Sequence, residues 1–143
     1  MRITPVAFDS MGARAAALYV EARGYKIFID PGVSYAPRRY GLPPHPRELE
    51  RLDELRRDVV TLAERADVII ITHYHYDHYM RDEEFYRDKI LLIKHPKEHI
   101  NVSQRIRAHR FLKHLEALGV KPVYADGREV MVGDVLISLS PPM

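Results

Sequence analysis

The chain has 143 residues and 22 Lys and Arg against 20 Asp and Glu, a formal charge of +2. That length suits a single domain, 1–143 with no internal boundary, and a composition 46% apolar and 29% charged is that of a globular protein rather than a disordered one. The absence of cysteine excludes disulfides, thiolate zinc sites and Cys nucleophiles together. No apolar run approaches the ~18–20 residues of a membrane span, and Met1–Pro5 lacks a signal-peptide core, so a cytoplasmic location is expected.

In chain order, 15–20 and 25–29 read as two short strands around a turn at Arg23-Gly24. Asp30-Pro31-Gly32 stops the second. Residues 31–46 hold five prolines and two glycines, which forces a loop. A long loop in a compact domain often carries function. A helix is expected from Pro46 to Ala66, because Leu49, Leu52, Leu55, Val59, Val60, Leu62, Ala63 and Ala66 recur on one face. Val68-Ile69-Ile70-Ile71 is an unbroken β-branched run, the pattern of a strand buried on both faces. Lys89–Ile93 reads as another strand. Ser103 is placed as the cap of a helix to Leu118, with a stripe of Ala108, Phe111, Leu112, Leu115 and Leu118, Ile106 outside it, and Gly119 as the stop. The end reads as a three-stranded meander over 123–125, 130–132 and 135–139.

One Asn, one Gln, no Cys, 10 Pro and 16 Arg against 6 Lys make a thermophile-like bias, which a GC-rich genome would also produce.

Directly after the buried strand comes Thr72-His73-Tyr74-His75-Tyr76-Asp77-His78. From this chain's composition, three His and one Asp in that pattern arise by chance about two times in a thousand. Neutral imidazoles and a carboxylate are the ligands of zinc sites. His73 and His75, two apart, face one side of an extended segment, while Asp77 and His78 can turn toward a neighbouring position. The competing reading is a set of histidines at a strand end. Tyr74, Tyr76 and Tyr79 fit packing around the site better than catalysis. Asp30 ends the strand before the cluster; it can accept an imidazole N–H and fix its tautomer, or serve only the turn.

His73-x-His75-x-Asp77-His78, after an apolar strand and Thr72, resembles the HxHxDH signature of the metallo-β-lactamase-like hydrolases. With Asp30-Pro31-Gly32-Val33-Ser34-Tyr35-Ala36-Pro37-Arg38-Arg39-Tyr40-Gly41-Leu42-Pro43-Pro44, the chain resembles an uncharacterised archaeal family of predicted metal-dependent hydrolases. The resemblance implies an α+β fold, an αββα sandwich of two similar halves, of which this chain supplies the N-terminal one. It implies that His73 and His75 ligate a first metal and Asp77 and His78 a second, with Asp77 also orienting the nucleophile. One or two zinc ions are expected, with iron or manganese as alternatives. The third His, a bridging Asp and a last His of the pattern are absent, so a missing C-terminal half or a second copy is expected to complete the site.

Two further features bear on substrate. Arg38, Arg39 and Tyr40 on the proline-rich loop suit a phosphate or carboxylate, or anchor the loop through ion pairs. Residues 94–121 carry seven Lys and Arg against Glu98 and Glu116, which admits a nucleic-acid-binding or nuclease reading, though without aromatic interleaving a solvated face is favoured. His45, His95, His99, His109 and His114 fall outside the motif and are expected at the surface. Three functions follow: a metal-dependent hydrolase, an enzyme on nucleic acid, or a non-catalytic metal-binding or interaction protein.

Overall fold

A computed structural model describes residues 1–9, 13–35 and 40–142. Its elements are β1 (Arg2–Phe8), β2 (Ala16–Ala22), β3 (Tyr25–Ile29), α1 (Pro46–Arg65), β4 (Val68–Ile71), β5 (Ile90–Ile93), α2 (Val102–Ala117), β6 (Val123–Tyr124), β7 (Glu129–Val132) and β8 (Val135–Ser138). Strands β1 to β6 form one sheet in sequence order. β1, β2 and β3 pair antiparallel; β3 to β6 pair parallel. Parallel neighbours need a crossover. α1 supplies it between β3 and β4, the 72–89 loop between β4 and β5, and α2 between β5 and β6.

β1 was not expected from the sequence, because Pro5 interrupts its apolar pattern. The structure tolerates Pro5 because β1 is the edge strand, and the ladder shifts register between Pro5 and Ala7. The expected meander is also corrected. β6 leaves it to pair parallel with β5, and only β7 and β8 form a hairpin. A two-residue strand carries too little pattern to name its partner.

The side chains of β4 divide cleanly. Ile69 and Ile71 join a core that includes Leu52, Leu55, Val59 and Ala63 of α1 and Ala108, Phe111 and Leu115 of α2. Val68 and Ile70 face the other way, with Ile27, Leu92 and Val132. Every β4 side chain is buried, as a strand covered on both faces requires.

α1 begins one residue after His45, whose Nδ1 accepts from Arg47 N at 3.1 Å while Glu48 accepts from His45 N at 2.9 Å. This reciprocal pair satisfies two otherwise unpartnered amides of the first turn. Leu49, expected on the buried stripe, is 43% exposed. α2 is capped by Asn101, not Ser103: Asn101 Oδ1 accepts from Gln104 N at 2.9 Å. Ile106 is exposed, as its place outside the stripe implied. Among the described residues, no helix is long and apolar enough to cross a membrane.

Candidate metal centre

The carboxyl ends of β3 to β6 open on one edge of the sheet, where open α/β sheets place their ligands. Asp30 follows β3, Thr72–His78 follows β4, Lys94 follows β5, and Asp126 lies just past β6. The Thr72–His78 segment is a loop, because β4 ends at Ile71. Its geometry is held by its own tyrosines. Tyr74 and Tyr79 are fully buried and stack edge-on at 5.8 Å, and Tyr79 meets Phe111 of α2 at 4.9 Å. Tyr74 donates its hydroxyl hydrogen to Lys94 O. Burial pushes both phenols far above their ordinary pKa, so they stay protonated and serve as packing.

Gly32 brings the two loops together. A side chain there would collide with the backbone of His78 and Tyr79, so only glycine lets the end of β3 lie against the His78 peptide. Asp30, with φ +50°, is 4% exposed and accepts three hydrogen bonds. They come from Thr72 N at 2.8 Å, Thr72 Oγ1 at 2.7 Å and His78 Nδ1 at 2.8 Å. With its own hydrogen committed to Asp30, Thr72 Oγ1 is left to accept from His73 Nδ1 at 3.0 Å. Thus one carboxylate, directly and through one hydroxyl, places the ring hydrogens of His78 and His73 on Nδ1. In the neutral rings both lone pairs then fall on Nε2, that of His78 beside Asp77.

The rings crowd together. His73 lies 3.7 Å from His78 and 4.7 Å from His75 between centroids. His78 Nε2 stands 3.6 Å from Asp77 Oδ2. Burial, then the neighbouring His78, lowers the His73 pKa. Burial alone would lower His78 also, but the Asp30 hydrogen bond and the charges of Asp30 and Asp77 outweigh it and raise its pKa. His75 is exposed, with Nε2 3.4 Å from Gln104 Nε2. Gln104 Oε1 accepts from Tyr74 N at 3.2 Å, which orients that amide.

The donor types are those that bind zinc, and the hydrogen bonds of Asp30 and Thr72 orient two of the imidazoles. As the side chains stand, though, no group of three or more His, Asp or Glu among the described residues is arranged to hold a metal ion. What the structure brings together is an open cluster of imidazoles and carboxylates.

Beside His73 opens a cleft of about 700 Å³, with Ile70 and Leu139 on its apolar side and Lys94, Asn101, Gln104 and Asp126 on its polar side. Lys94 and Asp126 form a half-buried ion pair at 2.7 Å, and Asp126 also accepts from His95 N at 2.8 Å. Lys94, counted in the basic stretch, is therefore neutralised. Arg107, another member, packs on Tyr76.

Tyr40 is fully exposed, and Arg38 and Arg39 lie outside the described residues. Of the histidines expected at the surface, His45, His99 and His109 are exposed. His95 and His114 are half-buried and correct that expectation. His95 Nδ1 accepts from Lys97 N and Glu98 N, and His114 Nε2 donates to Glu83 O at 2.7 Å. Both serve backbone groups of the loops beside them, a role invisible in spacing.

No known family model matches the chain. Over its full length it is 47% identical to a UPF0282 protein of Metallosphaera sedula and 50% identical to one of Korarchaeum cryptofilum. It spans 48% of each of those proteins. Over 99% of its length it is 48% identical to a UPF0282 protein of Thermococcus gammatolerans, spanning 51% of that protein. These names state neither a metal nor a reaction. The chain spans about half the length of the curated relatives it matches, and along that half it is homologous to the archaeal UPF0282 proteins.

Proposed function

We propose that this chain carries one half of the metal centre of a metal-dependent hydrolase, on a metallo-β-lactamase-like αββα sandwich whose other half is supplied by further chain of the relatives' length or by a second copy. The observation that carries the reading is the Asp30–Thr72 arrangement. A buried carboxylate that fixes two neighbouring imidazoles through their Nδ1 atoms is a common device for holding metal on Nε2. The open ligand set and the lightly covered second face of the sheet both suit a half-site.

His73 and His75 would hold a first ion, Asp77 and His78 a second, with zinc favoured by the donor set and iron or manganese the alternatives. Such an ion would supply Lewis acidity to the bond under attack and to the attacking water. This chain's own residues would position that half of the site. Asp77 would help orient the nucleophile, Asp30 keeps the His78 ring turned toward the site, and Thr72 does the same for His73.

The test is elemental analysis of zinc per chain, for this chain and for a relative of full length. The expected result is one or two zinc ions in the longer protein, lost in its counterparts of His73→Ala and His78→Ala. Full-length protein that folds and binds no zinc, iron or manganese sinks the proposal.

A further inference from the structure

The two helices on one face of the sheet present different surfaces. α1 carries five Arg against six Asp and Glu, interleaved along its length, and Arg51 pairs with Glu54 at 2.9 Å. α2 carries four Arg and Lys against one acid, Glu116, near its last turn. A helix face that is merely solvated looks like α1, where opposite charges alternate and cancel. α2 departs from that pattern within the same chain.

Each helical residue turns about 100° from the one before, which sorts α2 into faces. Ala108, Phe111 and Leu115 are buried, and Gln104 and Arg107 turn toward the histidine loop. Arg105, Arg110 and Lys113 point outward and are exposed. Among the described residues none of the three forms an ion pair. Arg105 Nη2 donates to Lys97 O at 3.3 Å, which brings exposed Lys97 to the same end of the helix. Glu98, the acid next to Lys97, stands 3.9 Å from His95 Nε2. Between Arg105 and Arg110 on the outward face lie Val102 and Ile106, 69% and 51% exposed. The face thus has an apolar middle with an arginine on either flank, and Lys113 further along the axis.

We propose that this outward face of α2 binds double-stranded DNA through its phosphate backbone. Cations with no acidic partner release condensed counterions when they meet phosphates, the main source of affinity that does not depend on sequence. The exposed face of α2 holds no Phe, Tyr or Trp, so it lacks the stacking rings on which single-strand binding relies. A helix with an apolar middle and basic flanks suits the major groove of B-form DNA, about 12 Å wide, bordered by phosphates and carrying thymine methyl groups. The deep, narrow groove of duplex RNA does not admit such a helix. α2 packs on the sheet face opposite the β7–β8 hairpin, so chain added over the lightly covered face leaves this surface open. The inference does not rest on the hydrolase reading.

The experiment is a titration of a fluorescent DNA duplex of about 20 base pairs with the 143-residue chain in EDTA, followed by anisotropy across a salt series. Saturable binding is expected, weakening with salt at a log–log slope of about −3 to −4, as four phosphate contacts require. Arg110→Ala and Lys113→Ala should each weaken it about threefold to tenfold and reduce the slope by about 1. Arg57→Ala, which removes an exposed charge from α1, should leave affinity and slope unchanged. The proposal is overturned if the duplex does not bind saturably at low salt, or if Arg57→Ala costs as much as Lys113→Ala. It is equally overturned if single-stranded DNA or duplex RNA of the same length binds more tightly than duplex DNA. Thermal unfolding of each variant separates lost binding from lost fold, and all three substituted side chains are exposed. Because EDTA removes metal, zinc content, measured separately, decides the metal reading without touching this one.

Discussion

The two faces of the six-stranded sheet are built to different standards. On the helical face, α1 and α2 bury a continuous core in which Tyr74, Tyr79, Tyr86 and Phe111 interlock and Phe28, Ile69 and Leu91 form the floor. On the opposite face, Ile27, Val68, Ile70 and Leu92 cluster with Ala125, the β7–β8 hairpin and Leu139. Around them Val20, Tyr25, Ile29, Val130 and Ile137 remain partly buried. Two helices can cover a sheet face; one two-stranded ribbon leaves its flanks wet. The comparison teaches that the candidate centre sits where a finished layer meets a thinner one, at the carboxyl edge shared by both.

Phe111→Ala is the strongest test of the finished face. It removes a buried ring touching Tyr74, Tyr79 and Tyr86, and should cost about 3–5 kcal/mol in denaturant unfolding. A loss below about 1 kcal/mol would mean the helical layer is loosely packed. Asp30→Ala strikes the edge between the faces. It leaves Thr72 N and His78 Nδ1 without their acceptor and should cost about 2–3 kcal/mol. Gly32→Ala drives a methyl group into the His78–Tyr79 backbone and should cost about 1–3 kcal/mol, with the His78 NMR signals displaced.

Ile137→Ala probes the thinner face. Because its side chain is only partly buried, the loss should be about 1 kcal/mol in this chain. In a relative of full length the loss should grow if added chain covers that face; an equal loss in both would show the hairpin to be the finished cover. The smallest effect concerns protons. In the metal-free chain, imidazole NMR should show His78 titrating above the ordinary histidine pKa and His73 below it. A raised His78 favours folding fully below the ordinary value, and that contribution fades as pH climbs through the raised one. His78→Gln should flatten stability against pH across that window; an unchanged slope would remove the Asp30–His78 pair as its source.

Much of the helical layer was legible in the chain. The stripes of α1 and α2 and the unbroken Val68–Ile71 run each state their burial, because a 3.6-residue or continuous apolar pattern has few other uses. The cluster at His73–His78 was legible because three imidazoles and a carboxylate in six residues are improbable by chance. β1 was hidden by Pro5, whose tolerance depends on lying at the sheet edge. Ser103 is as good a cap as Asn101 by residue type; only the observed helix start separates them. That Arg81 and Arg107, 26 positions apart, each stand 4.3 Å from the Tyr76 ring centre shows in no pattern of the chain. The arginine pair that spacing did suggest, Arg38 and Arg39, falls outside the described residues.

By itself the sequence determined which segments could be buried and which side chains had the chemistry of a metal site, because periodicity and residue type are local properties. The tertiary structure alone decided what those side chains can do together. Asp30 reaches His78 across 48 positions because β3 and β4 run side by side and Gly32 lets their loops touch. Arg107 reaches Tyr76 because α2 crosses the same loop. Such contacts depend on strand order and on crossover direction, and these are set by how whole faces pack, which no short stretch of the chain encodes.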